Sequence, residues 1–84
     1  MKIFLSSRSD KQLRKLPLKM HEVILNRIEK LNENPFPAGV KKLKARDGWR
    51  IRLGDYRILY AVDLTKKEII ILSVAHRKEA YQFQ

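Results

Sequence analysis

The chain reads as an α+β protein: an N-terminal strand, a helical hairpin, then a three-stranded antiparallel meander, making a four-stranded sheet with the helices packed on one face. Three observations carry this reading. Apolar residues recur at helical spacing only before residue 34. The strongest run of chain breakers, Asn34-Pro35-Phe36-Pro37-Ala38-Gly39, follows directly. Beyond it the hydrophobic period changes to two, the signature of strands.

Taken in order, Lys2-Ile3-Phe4-Leu5 is a short apolar run that predicts a strand. Ser7 or Ser9 can cap a helix near Ser9–Leu16, with Leu13 and Leu16 on one side. Pro17 ends it, because proline lacks the amide proton and disfavours helix in the residue before it. A second helix is predicted from about Pro17 to Asn32, where Met20, Ile24, Ile28 and Leu31 form an apolar stripe. Past the breaker cluster, Trp49, Ile51 and Leu53 alternate with Arg50 and Arg52, as in a strand with one face covered. Gly54-Asp55 is a two-residue hairpin turn. Tyr56–Asp63 and Glu68–Ala75 are the next two strands, joined by a turn at Asp63-Leu64-Thr65-Lys66-Lys67. Ile69-Ile70-Ile71-Leu72 is apolar at consecutive positions, which predicts burial on both faces. His76–Gln84 reads as a polar tail bearing aromatic residues, with room for one helical turn.

Length and composition narrow the function classes. The 84 residues suit a single domain over 1–84, able to bury roughly 60–65% of its unfolded surface. Hydrophobic residues make up 44%, enough for a core, so disorder is not expected. With no cysteine the chain has no disulfide, no thiolate-bound metal and no thiol nucleophile. Two isolated histidines, His21 and His76, do not make a metal site, and no cofactor is expected. No apolar run approaches the ~20 residues of a membrane span, and the N-terminus is too short in apolar residues for a signal peptide. A cytoplasmic protein with no membrane partner is the expectation.

Charge is the most informative property. Nineteen Lys and Arg against nine Asp and Glu give a net charge of +10. Residues 41–57 hold seven basic and two acidic side chains, half of that excess in about a fifth of the length. So basic a chain meets a polyanion, and the middle segment is where it would be gripped. If Trp49, Ile51 and Leu53 face the helices, Arg50 and Arg52 point the other way, roughly 6–7 Å apart. Arg57, just past the turn, comes alongside Arg52, and Arg77 at the end of the last strand can join them. Guanidinium groups gathered on one sheet face repel one another unless an anion sits between them, and their planar donor fork suits phosphate oxygens. The competing reading is that each is an ordinary solvated charge. Lys41, Lys42, Lys44 and Arg46 read as a loop that grips a phosphate backbone or merely stays wet. His76 is either a general acid or base or a structural hydrogen-bond donor at a strand end. Tyr81 could stack on a base or exchange a proton, Phe83 folds back on the core, and Trp49, Tyr56 and Tyr60 are assigned to packing.

The stretch Trp49-Arg50-Ile51-Arg52-Leu53-Gly54-Asp55-Tyr56-Arg57-Ile58-Leu59-Tyr60, with Ile69–Ala75, His76-Arg77 and Tyr81 after it, resembles the RelE branch of the RelE/ParE toxin superfamily. The Gly-x-Tyr-Arg-x-x-Tyr hairpin and the His-Arg-x-x-x-Tyr ending carry the resemblance, and the order of elements extends it over essentially the whole chain. The resemblance implies a type II toxin–antitoxin toxin, a small endoribonuclease that cuts messenger RNA in the ribosomal A site and is restrained by an acidic antitoxin. It places Arg50 and Arg52 at the family's paired basic positions, often lysine in the best-known members. It further matches Arg57 to the hairpin arginine, Arg77 to the C-terminal arginine and Tyr81 to the C-terminal tyrosine. The chemistry implied is metal-independent attack of a 2′-hydroxyl on its neighbouring phosphate, with contacts to ribosomal RNA expected. Arg50, Arg52, Arg57 and Arg77 would stabilise charge and His76 or Tyr81 would move protons. Two other readings stay open here: a ParE-like inhibitor of DNA gyrase, and a nucleic-acid-binding module without catalysis.

Overall fold

The computed structural model describes residues 1–76. Its elements are β1 (Lys2–Leu5), α1 (Ser7–Arg14), α2 (Leu18–Lys30), β2 (Lys41–Lys42), β3 (Trp49–Leu53), β4 (Tyr56–Asp63) and β5 (Glu68–His76). The expected α+β order holds, but the sheet has five strands rather than four, in the order β1-β5-β4-β3-β2. The added strand is the Lys41-Lys42 pair, expected as loop, which lies antiparallel to Trp49 and Arg50. β3, β4 and β5 form the antiparallel meander, and β1 runs parallel to β5 with Ile3 opposite Ile69.

Local chemistry explains the helix ends. Ser6, not Ser7 or Ser9, caps α1, because its hydroxyl accepts the Ser9 amide at 3.1 Å. Pro17 stands at the N-cap of α2, where a missing amide proton costs nothing. Both helices carry basic residues in their last turn, which favours the dipole. The ring of His21 on α2 is 2.8 Å from the Leu13 carbonyl of α1, tying the hairpin together.

The core lies between the helices and one face of the sheet. Leu13, Ile24, Ile28 and Leu31 from the helical half meet Ile51, Ile58, Tyr60, Ile69, Ile71 and Val74 from the strands. The Tyr60 hydroxyl donates to the Pro35 carbonyl at 2.6 Å, and burial pushes its pKa up to about 12 against the opposing pull of Arg27. Trp49 meets Phe36 edge-on, with ring centres 4.9 Å apart, and with Tyr56 packs against this core. Burial of β5 on both faces, as the run Ile69–Leu72 suggested, does not hold at its start. Ile69 and Ile71 are fully buried while Ile70 is 39% exposed beside Phe4, because both helices lie on the other side.

β1 ends at Leu5, yet β5 continues to His76, and side chains of α1 take over the open edge. Ser6 Oγ donates to the Leu72 carbonyl and Ser9 Oγ to the Ile71 carbonyl, each at 3.0 Å. Gln12 Oε1 accepts the Val74 amide at 2.6 Å and the Ser73 hydroxyl at 3.3 Å. An open edge carries unpaired peptide groups, and here Ser6, the cap of α1, with Ser9 and Gln12 of that helix, partners three of them.

Candidate functional site

The site grows from the β3–β4 hairpin. Gly54 turns the chain with φ +60°, a region that a side chain disfavours, and the ladder closes with Leu53 opposite Tyr56. The next pair is Arg52 opposite Arg57, then Ile51 opposite Ile58, then Arg50 opposite Leu59. Partners across a ladder share a face and successive residues alternate. Ile51 and Ile58 therefore enter the core, while Arg50, Arg52 and Arg57 stand on the reverse face. Like charges directly opposite each other destabilise a bare sheet. Such a pair can share one anion between its planar donor forks.

Arg57 is only 4% exposed, with Arg52 on one side in register and the small Ala75 on the other. Burying a cation is costly, and guanidinium, weakly hydrated and rich in donors, is the cation that tolerates it. A buried guanidinium is also held in place, so it needs no rearrangement when charge develops next to it. Arg52 is exposed and Arg50 half-buried, so the three form a gradient from wet to dry on one sheet face.

Beside the hairpin, Lys41 lies opposite Arg50. A cleft of about 360 Å³ is lined by Lys41, Lys42, Lys44, Arg50, Leu43 and Ala45. Arg46 is exposed and does not line it. The loop after β2 is fastened by the Leu43 amide, which donates to the Gly48 carbonyl at 3.0 Å. Leu43 is 7% exposed, and Leu59, on the same reverse face, is fully buried. Gly48 has φ +139°, and a Cβ there would come within 3.0 Å of the Tyr60 carbonyl oxygen and 3.1 Å of Leu43. Only glycine lets this loop approach the sheet so closely.

His76 does not join the arginines on their face. It pairs with Tyr56, their rings meet edge-on at 5.6 Å, and it faces the helix-covered side. The cause is a bulge: Leu59 pairs with Ser73 but Tyr60 pairs with Ile71, so Leu72 is an extra residue. Without it, His76 would share a face with Ile70 and Leu72 on the arginine side. With it, His76 lines a second cleft of about 220 Å³ with Gln12, Lys15, Leu16, Pro17 and Tyr56. Arg77, Tyr81 and Phe83 lie outside the described residues.

Sequence reasoning missed two contributors. Gln12 pins the end of β5 close to Arg57's register partner, and it looks like any polar helix residue. The Lys41–Arg50 pairing needs a strand too short to show a period.

A family model described as the ParE toxin of the type II toxin–antitoxin system parDE matches residues 3–81. The chain is 34% identical over 76 residues to a protein of Methanocaldococcus jannaschii named as toxin RelE1, covering 86% of this chain and 84% of that one. A chain of the archaeal RelE–RelB complex from Pyrococcus horikoshii OT3 superposes with a TM-score of 0.80 at 32% identity, over 90% of this chain and 93% of the other. A chain of the intact E. coli RelBE toxin–antitoxin complex gives 0.76 at 26% identity, over 89% and 94%. The match runs through the hairpin that sets Arg52 against Arg57, and the chain belongs to the RelE/ParE family of toxins of type II toxin–antitoxin systems.

Proposed function

We propose that this toxin is an endoribonuclease that cuts messenger RNA in the ribosomal A site. The observation that carries the reading is the register pair Arg52–Arg57 on the face away from the core, with Arg57 almost wholly buried beside an exposed Arg52. In the proposed reaction a ribose 2′-oxygen attacks the adjacent phosphorus and the P–O5′ bond breaks. The products are a 2′,3′-cyclic phosphate and a free 5′-hydroxyl. Two negative oxygens gather on the phosphorane, and Arg52 and Arg57 stabilise them, with Arg77 as the third guanidinium. Arginine, with a pKa above about 12, holds its proton throughout. Proton transfer falls to other groups. His76 faces away from the pair, which leaves Tyr81 as the chain's candidate. A site this poor in proton acceptors depends on the ribosome to align the RNA, which puts its action in the cytoplasm.

Arg57→Ala tests the reading. On ribosomes programmed with messenger RNA, cleavage mapped by transcript 5′ ends should fall about 10²–10³-fold while the fold remains; undiminished cutting rejects it. An acidic antitoxin is the proposed restraining partner, since RelE relatives occur in complexes with RelB and this chain carries +10. One observation favours a second reading: the matching family model is that of ParE. Under it the purified protein would trap covalent gyrase–DNA complexes and leave messenger RNA intact.

A further inference from the structure

We propose that Gln12 of α1 is a positioning residue for the arginine pair: it anchors the bulged end of β5 and so holds Ala75 in place beside Arg57. The inference rests on the ribonuclease reading and adds to it a residue from the helix-covered side of the sheet. A bulge frees one residue from the ladder and disrupts the pairing around it. Here Leu72 has no register partner on β4, and β1 has already ended at Leu5. From Ser73 to His76 the strand therefore has a neighbouring strand on one side only. That stretch carries Ala75, the register partner of Arg57. Both are almost wholly buried, and as a cross-strand pair their Cβ atoms lie roughly 4.5–5.5 Å apart. A shift of Ala75 moves the wall beside the guanidinium.

The bonds from α1 follow the bulge. Successive carbonyls of a regular strand point to opposite edges. Here two successive ones turn the same way. The Ile71 carbonyl accepts from the Ser6 amide and the Ser9 hydroxyl, and the Leu72 carbonyl from the Ser6 hydroxyl, all at 3.0 Å. Gln12 Oε1 then takes the donors just beyond, the Val74 amide at 2.6 Å and the Ser73 hydroxyl at 3.3 Å. Ser6, Ser9 and Gln12 recur every three residues, which sets them along one side of the helix and its cap. Covering an open edge needs only polar side chains somewhere along it. It does not require donors of two consecutive residues to converge on one oxygen, directly after the bulge. Only an acceptor serves there: a carboxylate can replace the amide and a hydrocarbon cannot. Burial of Val74 in the core opposes a full slip to the bulge-free register, so losing the Gln12 oxygen loosens the end of β5 rather than re-registering it.

The test compares Gln12→Leu, which removes the oxygen, with Gln12→Glu, whose carboxylate can accept both bonds. On programmed ribosomes Gln12→Leu should lower the rate at saturation about 10²-fold, as a displacement of about 1 Å does, and leave the half-saturating concentration near wild type. Gln12→Glu should restore most of that rate. In ¹H–¹⁵N NMR spectra of the whole chain, Gln12→Leu should broaden the Ala75 amide and Arg57 Nε and speed exchange of the Val74 amide. The amides of Ile24 and Ile28 should keep their wild-type protection. A wild-type rate in Gln12→Leu would overturn the proposal, as would a Gln12→Glu no better than Gln12→Leu. Protection lost equally throughout the core would also overturn it, since the effect would then be one of stability alone. One check needs no variant: the wild-type Val74 amide should exchange as slowly as its ladder neighbours, and prompt exchange would overturn the anchor. Should wild type cut no messenger while Gln12→Leu still broadens Ala75 and Arg57, the ribonuclease reading fails and the anchor stands.

Discussion

The two faces of the sheet are made from the same strands, yet they obey different rules. On the helix-covered face Ile51, Ile58, Tyr60, Ile69, Ile71 and Val74 are all at most 2% exposed and make the core. On the reverse face Arg50, Arg52 and Arg57 follow the same ladder, one residue out of phase, and stability would be better served by neutral side chains there. Ile58 and Arg57 are neighbours in sequence, and the pleat sends one into the core and the other to the reverse face beside Arg52. A single chain this small affords both roles because alternation separates them.

Four changes sharpen or break that division. Ile58→Ala, on the covered face, should lower unfolding free energy by about 2–5 kcal/mol, checked by denaturant titration. That is a large share of the roughly 4–13 kcal/mol expected for a chain of this length. Arg57→Ala, one residue away, should lower the cleavage rate about 10²–10³-fold, near 2.7–4 kcal/mol in the barrier, while the melting temperature stays close to wild type. If Arg57→Ala unfolded the protein as readily as Ile58→Ala, the division between the faces would fail. Gly48→Ala should cost about 1–3 kcal/mol, because φ +139° and the Tyr60 carbonyl leave no place for a Cβ. Amide exchange should then rise in residues 43–48 before it rises in the core.

Tyr60→Phe has the smallest effect, about 1 kcal/mol near neutrality from the bond to Pro35. It has a pH signature as well. The folded tyrosine titrates near 12 against an ordinary 10, so the unfolded chain loses its proton first as pH rises. This residue's share of stability is constant below pH 10 and declines between 10 and 12. The Tyr60→Phe variant should lack that part of the decline in an alkaline unfolding series.

Much of the fold was legible because its signals are local. β1, β3 and β4 have the limits that their apolar runs predict, and the helices end within two residues of the expected places. The arginine face was legible for the same reason, since alternation alone puts Arg50 and Arg52 opposite Ile51. Apart from the helix cap, which moved from Ser7 or Ser9 to Ser6, the failures involve partners distant in sequence. A two-residue strand has no period, so Lys41-Lys42 looked like loop until Arg50 lay beside it. Ile70 looked buried because an apolar run does not say how many layers cover it.

The amino-acid order by itself determined the element sequence, the basic middle segment and the side of the sheet that carries its arginines, because these follow from periodicity and charge within a few residues. Tertiary structure alone decided that the Leu72 bulge turns His76 away from those arginines, that α1 clamps the open edge of β5 through Ser6, Ser9 and Gln12, and that Arg50 faces Lys41 while Arg52 faces Arg57. The physical reason is that register and edge pairing are settled between strands far apart in the chain, where no local pattern records which residue will stand opposite which.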